Sequence, residues 1–157
     1  MLKLQKRNLQ ENLTLKQNKR KKELQNKANI HGIGVDLVEV NRFKNILIKH
    51  GDKFAQKILT SGEFSEYQKS TNKAQYMAKC WAVKEAFVKA LGTGFTGKFT
   101  WGNIGYFSPT KRYGVAHPQV RLNDTLMNDN LLEGIKIHLS VSDESKYVTA
   151  YVILERQ

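Results

Sequence analysis

The chain has 157 residues, room for one domain with its own core, and its 40% hydrophobic and 10% aromatic content excludes a wholly disordered polymer. The formal net charge of +12 is uneven: residues 1–29 hold nine Lys/Arg against Glu11 and Glu23, a net of +7, and the remainder carries only +5. A lone cysteine, Cys80, excludes an intramolecular disulfide framework, and the lack of an apolar leader or of any run near ~20 apolar residues points to a cytoplasmic protein without a membrane span.

Residues 1–29 are rich in Lys, Asn, Gln and Leu, and their leucines are too scattered to hold one helical stripe. They are predicted to be a basic extension, flexible or weakly helical, ahead of a single domain over 30–157. Order is expected to begin at Ile30. Over residues 30–36, His31, Ile33 and Val35 alternate with Gly32, Gly34 and Asp36, a strand with one bare face. Glycines on that face allow another backbone to approach closely, and Asp36 closes it.

Residues 38–50 read as a helix with Val40, Phe43, Ile46 and Leu47 inward, stopped by Gly51, and a second short helix covers about 52–59. Thr60-Ser61-Gly62-Glu63 is a capping box that opens a helix running to about Tyr67. The clearest element is a helix over 72–91, ended by Gly92. It carries an apolar stripe of Met77, Trp81, Val88 and Leu91, and beside it a stripe of Ala78, Ala82, Glu85 and Lys89. Strands are expected over 100–107 and 115–122, a short helix over 124–133, and a closing hairpin of strands over 134–142 and 147–154. Helices early and antiparallel strands late predict an α+β fold, with the long helix packed on a small, mostly antiparallel sheet.

Two glycine patterns do not carry chemistry. Gly92 to Lys98 satisfies G-x-x-x-x-G-K, but Phe99 stands where a phosphate loop needs Ser or Thr, and the loop follows a helix rather than a strand. Gly32-x-Gly34 lacks the third glycine of a dinucleotide fingerprint.

If the alanine-faced helix packs on the glycine-faced strand, Asp36 and Glu85 converge. Two carboxylates with room for water suit Mg²⁺, which takes one or two protein oxygens and completes its shell with substrate phosphates. Lys89, one turn beyond Glu85, would reach a phosphate oxygen. On spacing alone, Glu85 and Lys89 are more simply an i,i+4 surface ion pair, and His138 an exposed strand histidine.

Several blocks then carry a resemblance. Gly32-Ile33-Gly34-Val35-Asp36 with Glu39 and Arg42 resembles the opening of holo-acyl-carrier-protein synthases, the short bacterial 4′-phosphopantetheinyl transferases. The segment from Phe54 to Glu63, with Ile58-Leu59-Thr60, is similar to a second block of that family. Trp81-Ala82-Val83-Lys84-Glu85-Ala86-Phe87-Val88-Lys89-Ala90-Leu91-Gly92-Thr93-Gly94 is similar to the most specific block, and His138 to Glu144 with the final Ala-Tyr-Val-Ile-Leu-Glu to the last hairpin. Two positions depart from the pattern: Cys80 stands where the family usually has Arg, and Gly114-Val115-Ala116-His117-Pro118 replaces its Gly-Lys-Pro loop.

The resemblance implies Mg²⁺-dependent transfer of phosphopantetheine from coenzyme A to a serine of apo acyl carrier protein. It implies a metal on Asp36 and Glu85, phosphoryl stabilisation by Lys89, and coenzyme contacts from Lys89, Gly92, Thr93, Gly94 and His138. It also implies carrier-protein docking at Arg42 and a homotrimer with sites between subunits. The competing readings are a basic nucleic-acid-binding protein, suggested by the Lys-rich extension, and a non-catalytic family member, suggested by Cys80. The body offers no basic–aromatic strand of the kind that stacks RNA bases, which disfavours the first.

Overall fold

The computed structural model describes residues 14–17, 29–108 and 117–157. Most of the basic extension and most of the Gly114–Pro118 loop therefore lie outside the described residues. Residues 14–17 are an exposed helical turn, α1. The elements of the body, in order, are β1 (Asn29–Glu39), α2 (Val40–His50), α3 (Asp52–Ile58), α4 (Ser61–Lys69), α5 (Lys73–Leu91), β2 (Ile104–Phe107), β3 (Gln119–Leu122), α6 (Asp124–Met127), a 3₁₀ turn (Asn130–Leu132), β4 (Ile135–Asp143) and β5 (Tyr147–Arg156).

Two sheets result, one in the order β1-β5-β4 and the other a β2–β3 pair. The β4–β5 and β2–β3 pairs are both antiparallel, with Ile137 opposite Leu154 and Ile104 opposite Leu122. This is the expected α+β arrangement. Along β5, Val148, Ala150, Val152 and Leu154 are fully buried, while Tyr147, Tyr151 and Ile153 are exposed. Strict alternation therefore gives the larger sheet one packed and one open face.

The packed face meets α5. Met77, Ala78, Ala82, Val83, Ala86, Phe87 and Val88 of this helix are at most 1% exposed. Large side chains such as Phe87 and Met77 each contribute roughly 2–3 kcal/mol through removal from water. The helix starts where Asn72 accepts a hydrogen bond from the Gln75 amide at 3.1 Å and stops where Gly92 turns left-handed at φ 72°. The α4 capping box is complete: the Thr60 amide donates to Glu63 Oε2 at 2.7 Å and the Glu63 amide donates to Thr60 Oγ1 at 3.2 Å.

Several expected boundaries shift. The first strand extends to Glu39, so α2 starts at Val40 rather than 38. Residues 100–103 form turns before β2, held by the Asn103 amide donating to the Thr100 carbonyl at 3.1 Å. The expected helix over 124–133 divides into α6 and the 3₁₀ turn, because the Asp129 side chain caps a new start by accepting from the Leu131 amide.

Candidate active site

The glycine face of β1 lies directly on α5. A Cβ built on Gly32 would stand 2.0 Å from the Ala90 carbonyl oxygen, and one on Gly34 would stand 1.9 Å from that of Ala86. The pairing of a bare strand face with a helix is as expected, but the alanines differ. The contact runs through Ala86 and Ala90, whereas Ala78 and Ala82 are buried elsewhere along the helix. A helix can approach a strand this closely only where neither element interposes a side chain.

Asp36 follows on that inward face, with its side chain 13% exposed. Lys89 Nζ lies 2.7 Å from Asp36 Oδ1 and 3.3 Å from the Val35 carbonyl oxygen. The lysine thus reaches across to the strand rather than pairing with Glu85 along the helix surface, which replaces the i,i+4 reading. Asp36 Oδ2 is buried and has no hydrogen-bond partner among the described residues. An acceptor in that state is open to a cation or to a donor such as water from outside the chain.

Glu85 senses the same group. Burial pushes its carboxyl above the ordinary carboxylate range, and the negative charge of Asp36 pushes it further, against opposing pulls from Lys89 and Arg42. Asp36, Glu85, Lys89 and Arg42 therefore form one electrostatic cluster. The Arg42 guanidinium lies 5.0 Å from the Trp81 ring centroid, so an aromatic face holds its position beside the site. Among the described residues no three His, Cys, Asp or Glu side chains gather as a metal cage. Two carboxylates, one with an unsatisfied buried oxygen, fit a cation that draws its remaining ligands from a phosphorylated substrate.

Gly92, Thr93 and Gly94 cap α5 one turn beyond Lys89, with Gly94 at φ 61° and the Thr93 hydroxyl donating to the Gly94 carbonyl at 3.1 Å. His138 is on the open face of β4, where its Nε2 lies 2.6 Å from Glu155 Oε2. Neither an ion pair nor a hydrogen bond joins it to the Asp36–Glu85–Lys89 cluster. The G-x-x-x-x-G-K loop follows a helix, and its Lys98 is ion-paired with the buried Asp129, which accounts for that lysine without a phosphate.

Sequence reasoning assigned no role to a second charged group. Lys84 and Glu63 are buried, at 0% and 3% exposure, and lie 2.7 Å apart. The capping signature pointed to Glu63, and both residues stand in blocks that resemble the transferase family, Glu63 at the end of the Phe54–Glu63 segment and Lys84 beside Glu85. Cys80 is buried beside them, and burial together with the Glu63 charge raises its thiol well above its ordinary range. Glu63 also walls a cavity of about 370 Å³ shared with Tyr76, Tyr106, Ser108 and Arg121.

Comparison with known proteins decides the family. Residues 32–152 match the model of the 4′-phosphopantetheinyl transferase superfamily. The chain belongs to that superfamily. Within it, the holo-[acyl-carrier-protein] synthase of Nitrosospira multiformis is 43% identical over 130 residues, 81% of this chain and 99% of the relative. That of Dechloromonas aromatica is 40% identical over 126 residues, 80% of this chain and 98% of the relative. Among solved structures, the Neisseria meningitidis holo-[acyl-carrier-protein] synthase superposes with a TM-score of 0.73 at 37% identity, covering 82% of this chain and all of the other. A Bacillus anthracis enzyme of the same name, in complex with coenzyme A (3′,5′-ADP), gives a TM-score of 0.66 at 28% identity over 82% of this chain and 98% of that one.

Proposed function

We infer that this chain is a Mg²⁺-dependent holo-acyl-carrier-protein synthase, which transfers 4′-phosphopantetheine from coenzyme A to a serine of an apo acyl carrier protein and releases adenosine 3′,5′-bisphosphate. The observation that carries this reading is the Asp36 carboxylate, with Lys89 on one oxygen and the other buried without a partner among the described residues. It sits in a chain that spans nearly the full length of its holo-synthase relatives.

Asp36 and Glu85 would hold the magnesium, which supplies charge neutralisation for the pyrophosphate. Lys89, whose side chain is half exposed, would stabilise charge that builds on the phosphoryl oxygens as the serine oxygen attacks phosphorus and the phosphoanhydride bond breaks. The Gly92-Thr93-Gly94 turn would accept the coenzyme near Lys89, and His138 would contact its nucleotide end. Arg42, exposed on α2, would meet an acidic carrier protein.

The open face of the larger sheet supports a homotrimer. Ile33 (61% exposed), Val35, Leu37 (67%), Tyr151 and Ile153 would otherwise leave an apolar surface in water. The described residues contain no helix long and apolar enough to cross a membrane.

The test is intact-mass spectrometry of an apo acyl carrier protein incubated with this protein, coenzyme A and Mg²⁺, with a chelator control. A chelator-sensitive gain of one phosphopantetheine is expected. A folded protein that leaves a competent carrier unmodified would instead favour the non-catalytic reading.

A further inference from the structure

The Lys84 ammonium is saturated. It donates to Glu63 Oε2 at 2.7 Å, to the Ile58 carbonyl at 2.6 Å and to the Trp101 carbonyl at 2.8 Å. Three donors meet three acceptors. Glu63 is equally occupied: Oε2 also accepts the Thr60 amide, and Oε1 accepts the Tyr106 amide, both at 2.7 Å. One buried ion pair thereby joins the end of α3, the start of α4, the turn before β2, strand β2 and the middle of α5.

Replacing a buried pair of this kind with apolar side chains is often neutral or stabilising, so its presence calls for a reason other than stability. Its placement supplies one. Lys84 is adjacent in sequence to Glu85, and on the same helix Ala86 and Ala90 touch the glycines of β1. Small residues against glycine set how close α5 comes to β1 but interlock few side chains, so this side resists rotation of the helix weakly, and the apolar side chains buried on its other faces, Met77, Val83 and Phe87 among them, resist it by packing that has no fixed direction. A directional, three-acceptor anchor resists that rotation. Turning α5 about its axis would carry Glu85 and Lys89 away from Asp36 together.

We propose that the buried Glu63–Lys84 pair is a positioning pair for phosphopantetheine transfer, fixing the rotation of α5 so that Glu85 and Lys89 face Asp36. The pair touches no reacting atom. It acts through the helix, and the same Glu63 carboxylate ties that orientation to β2 and to the wall of the adjoining cavity. This inference rests on the transferase reading above.

The experiment compares Glu63→Asp, which keeps both charges but shortens the reach, with the double variant Lys84→Met/Glu63→Gln, which removes both charges and leaves no unpaired ion. Folding is read by circular dichroism and melting temperature, and transfer by kcat and by KM for apo acyl carrier protein. Misplacement of Glu85 and Lys89 should lower kcat by about 10- to 100-fold in the folded double variant, with KM for the carrier unchanged. Glu63→Asp should show a smaller fall of the same kind. A purely structural pair would instead alter the melting temperature and leave kcat at the wild-type value, and that result in either folded variant overturns the proposal. Where the double variant does not fold, Glu63→Asp decides. Wild-type protein in the same assay separates the two failures: an inactive wild type overturns the transferase reading, whereas active wild type with equally active variants overturns only the positioning role.

Discussion

A β-carbon on Gly34 would lie 1.9 Å from the carbonyl oxygen of Ala86, a backbone atom that cannot swing aside. The approach of β1 to α5, and with it the meeting of Asp36 with Lys89, depends on that absent methyl. Gly34→Ala must push the helix off the strand. A loss of about 3 kcal/mol or more is expected, together with lost transfer activity. Gly62 provides the contrast, since it lies in α4 with no atom of the described residues within 4 Å of its built Cβ. Gly62→Ala should stabilise by about 0.5–1 kcal/mol through helix propensity. Chemical denaturation of the two variants checks both signs, and an unaffected Gly34→Ala would contradict the contact.

At the cluster itself, Glu85→Ala should abolish turnover while far-ultraviolet circular dichroism remains that of the wild type. Lys89→Ala should lower kcat by about 100-fold or more, as expected for a lost donor to developing charge. Steady-state kinetics with both proteins shown to be folded is the measurement. A normally active Glu85→Ala protein would remove this carboxylate from the metal site.

Arg42 has neighbours of two kinds, the Trp81 and Phe43 rings at 5.0 and 5.7 Å and the electrostatic field of Glu85. Arg42→Glu should raise KM for an acidic carrier by about 10-fold at low salt, with the difference shrinking as salt screens the attraction. Comparison with Arg42→Lys separates charge from stacking. A KM that is unchanged and equally salt-sensitive would place carrier docking elsewhere.

Stability should fall at alkaline pH. Burial raises the phenols of Tyr67, Tyr76 and Tyr106 above their ordinary 10.0, with Asp52 adding to the rise at Tyr67, and raises the Cys80 thiol well above 9.0. These groups keep their protons in the folded state and lose them in the unfolded state at ordinary pH values. The unfolded chain then binds fewer protons, so unfolding becomes easier as pH rises through 9–10. Lys84 has the opposite sign, since burial lowers it below 10.5 and the unfolded state holds its proton longer. The phenols of Tyr67 and Tyr76 are shifted far more strongly than Lys84, so the net is a loss. Melting temperatures from about pH 8 to about pH 11 should decline, and Tyr76→Phe should flatten the slope. A melting temperature that holds steady across that range would refute the assignment.

The sequence by itself determined the elements that local chemistry specifies. Thr60 and Glu63 announced the α4 cap, Gly92 the end of α5, and the alternation of Ile135, Ile137, Leu139 and Val141 the inner face of β4, because caps and pleats depend on residues a few positions apart. It also brought Asp36 and Glu85 into one hypothesis through the bare faces of β1 and α5. Only the tertiary structure decided which alanines make that contact. Ala86 and Ala90 lie a short arc around the helix from the expected stripe, and helical spacing does not say which part of a mostly buried helix meets which neighbour. Only it showed Lys89 crossing to Asp36 across 53 positions of sequence, Lys84 anchored to Glu63 across 21, and His138 paired with Glu155 across 17. Such pairings arise from packing after the elements have formed, so no local pattern of residues encodes them.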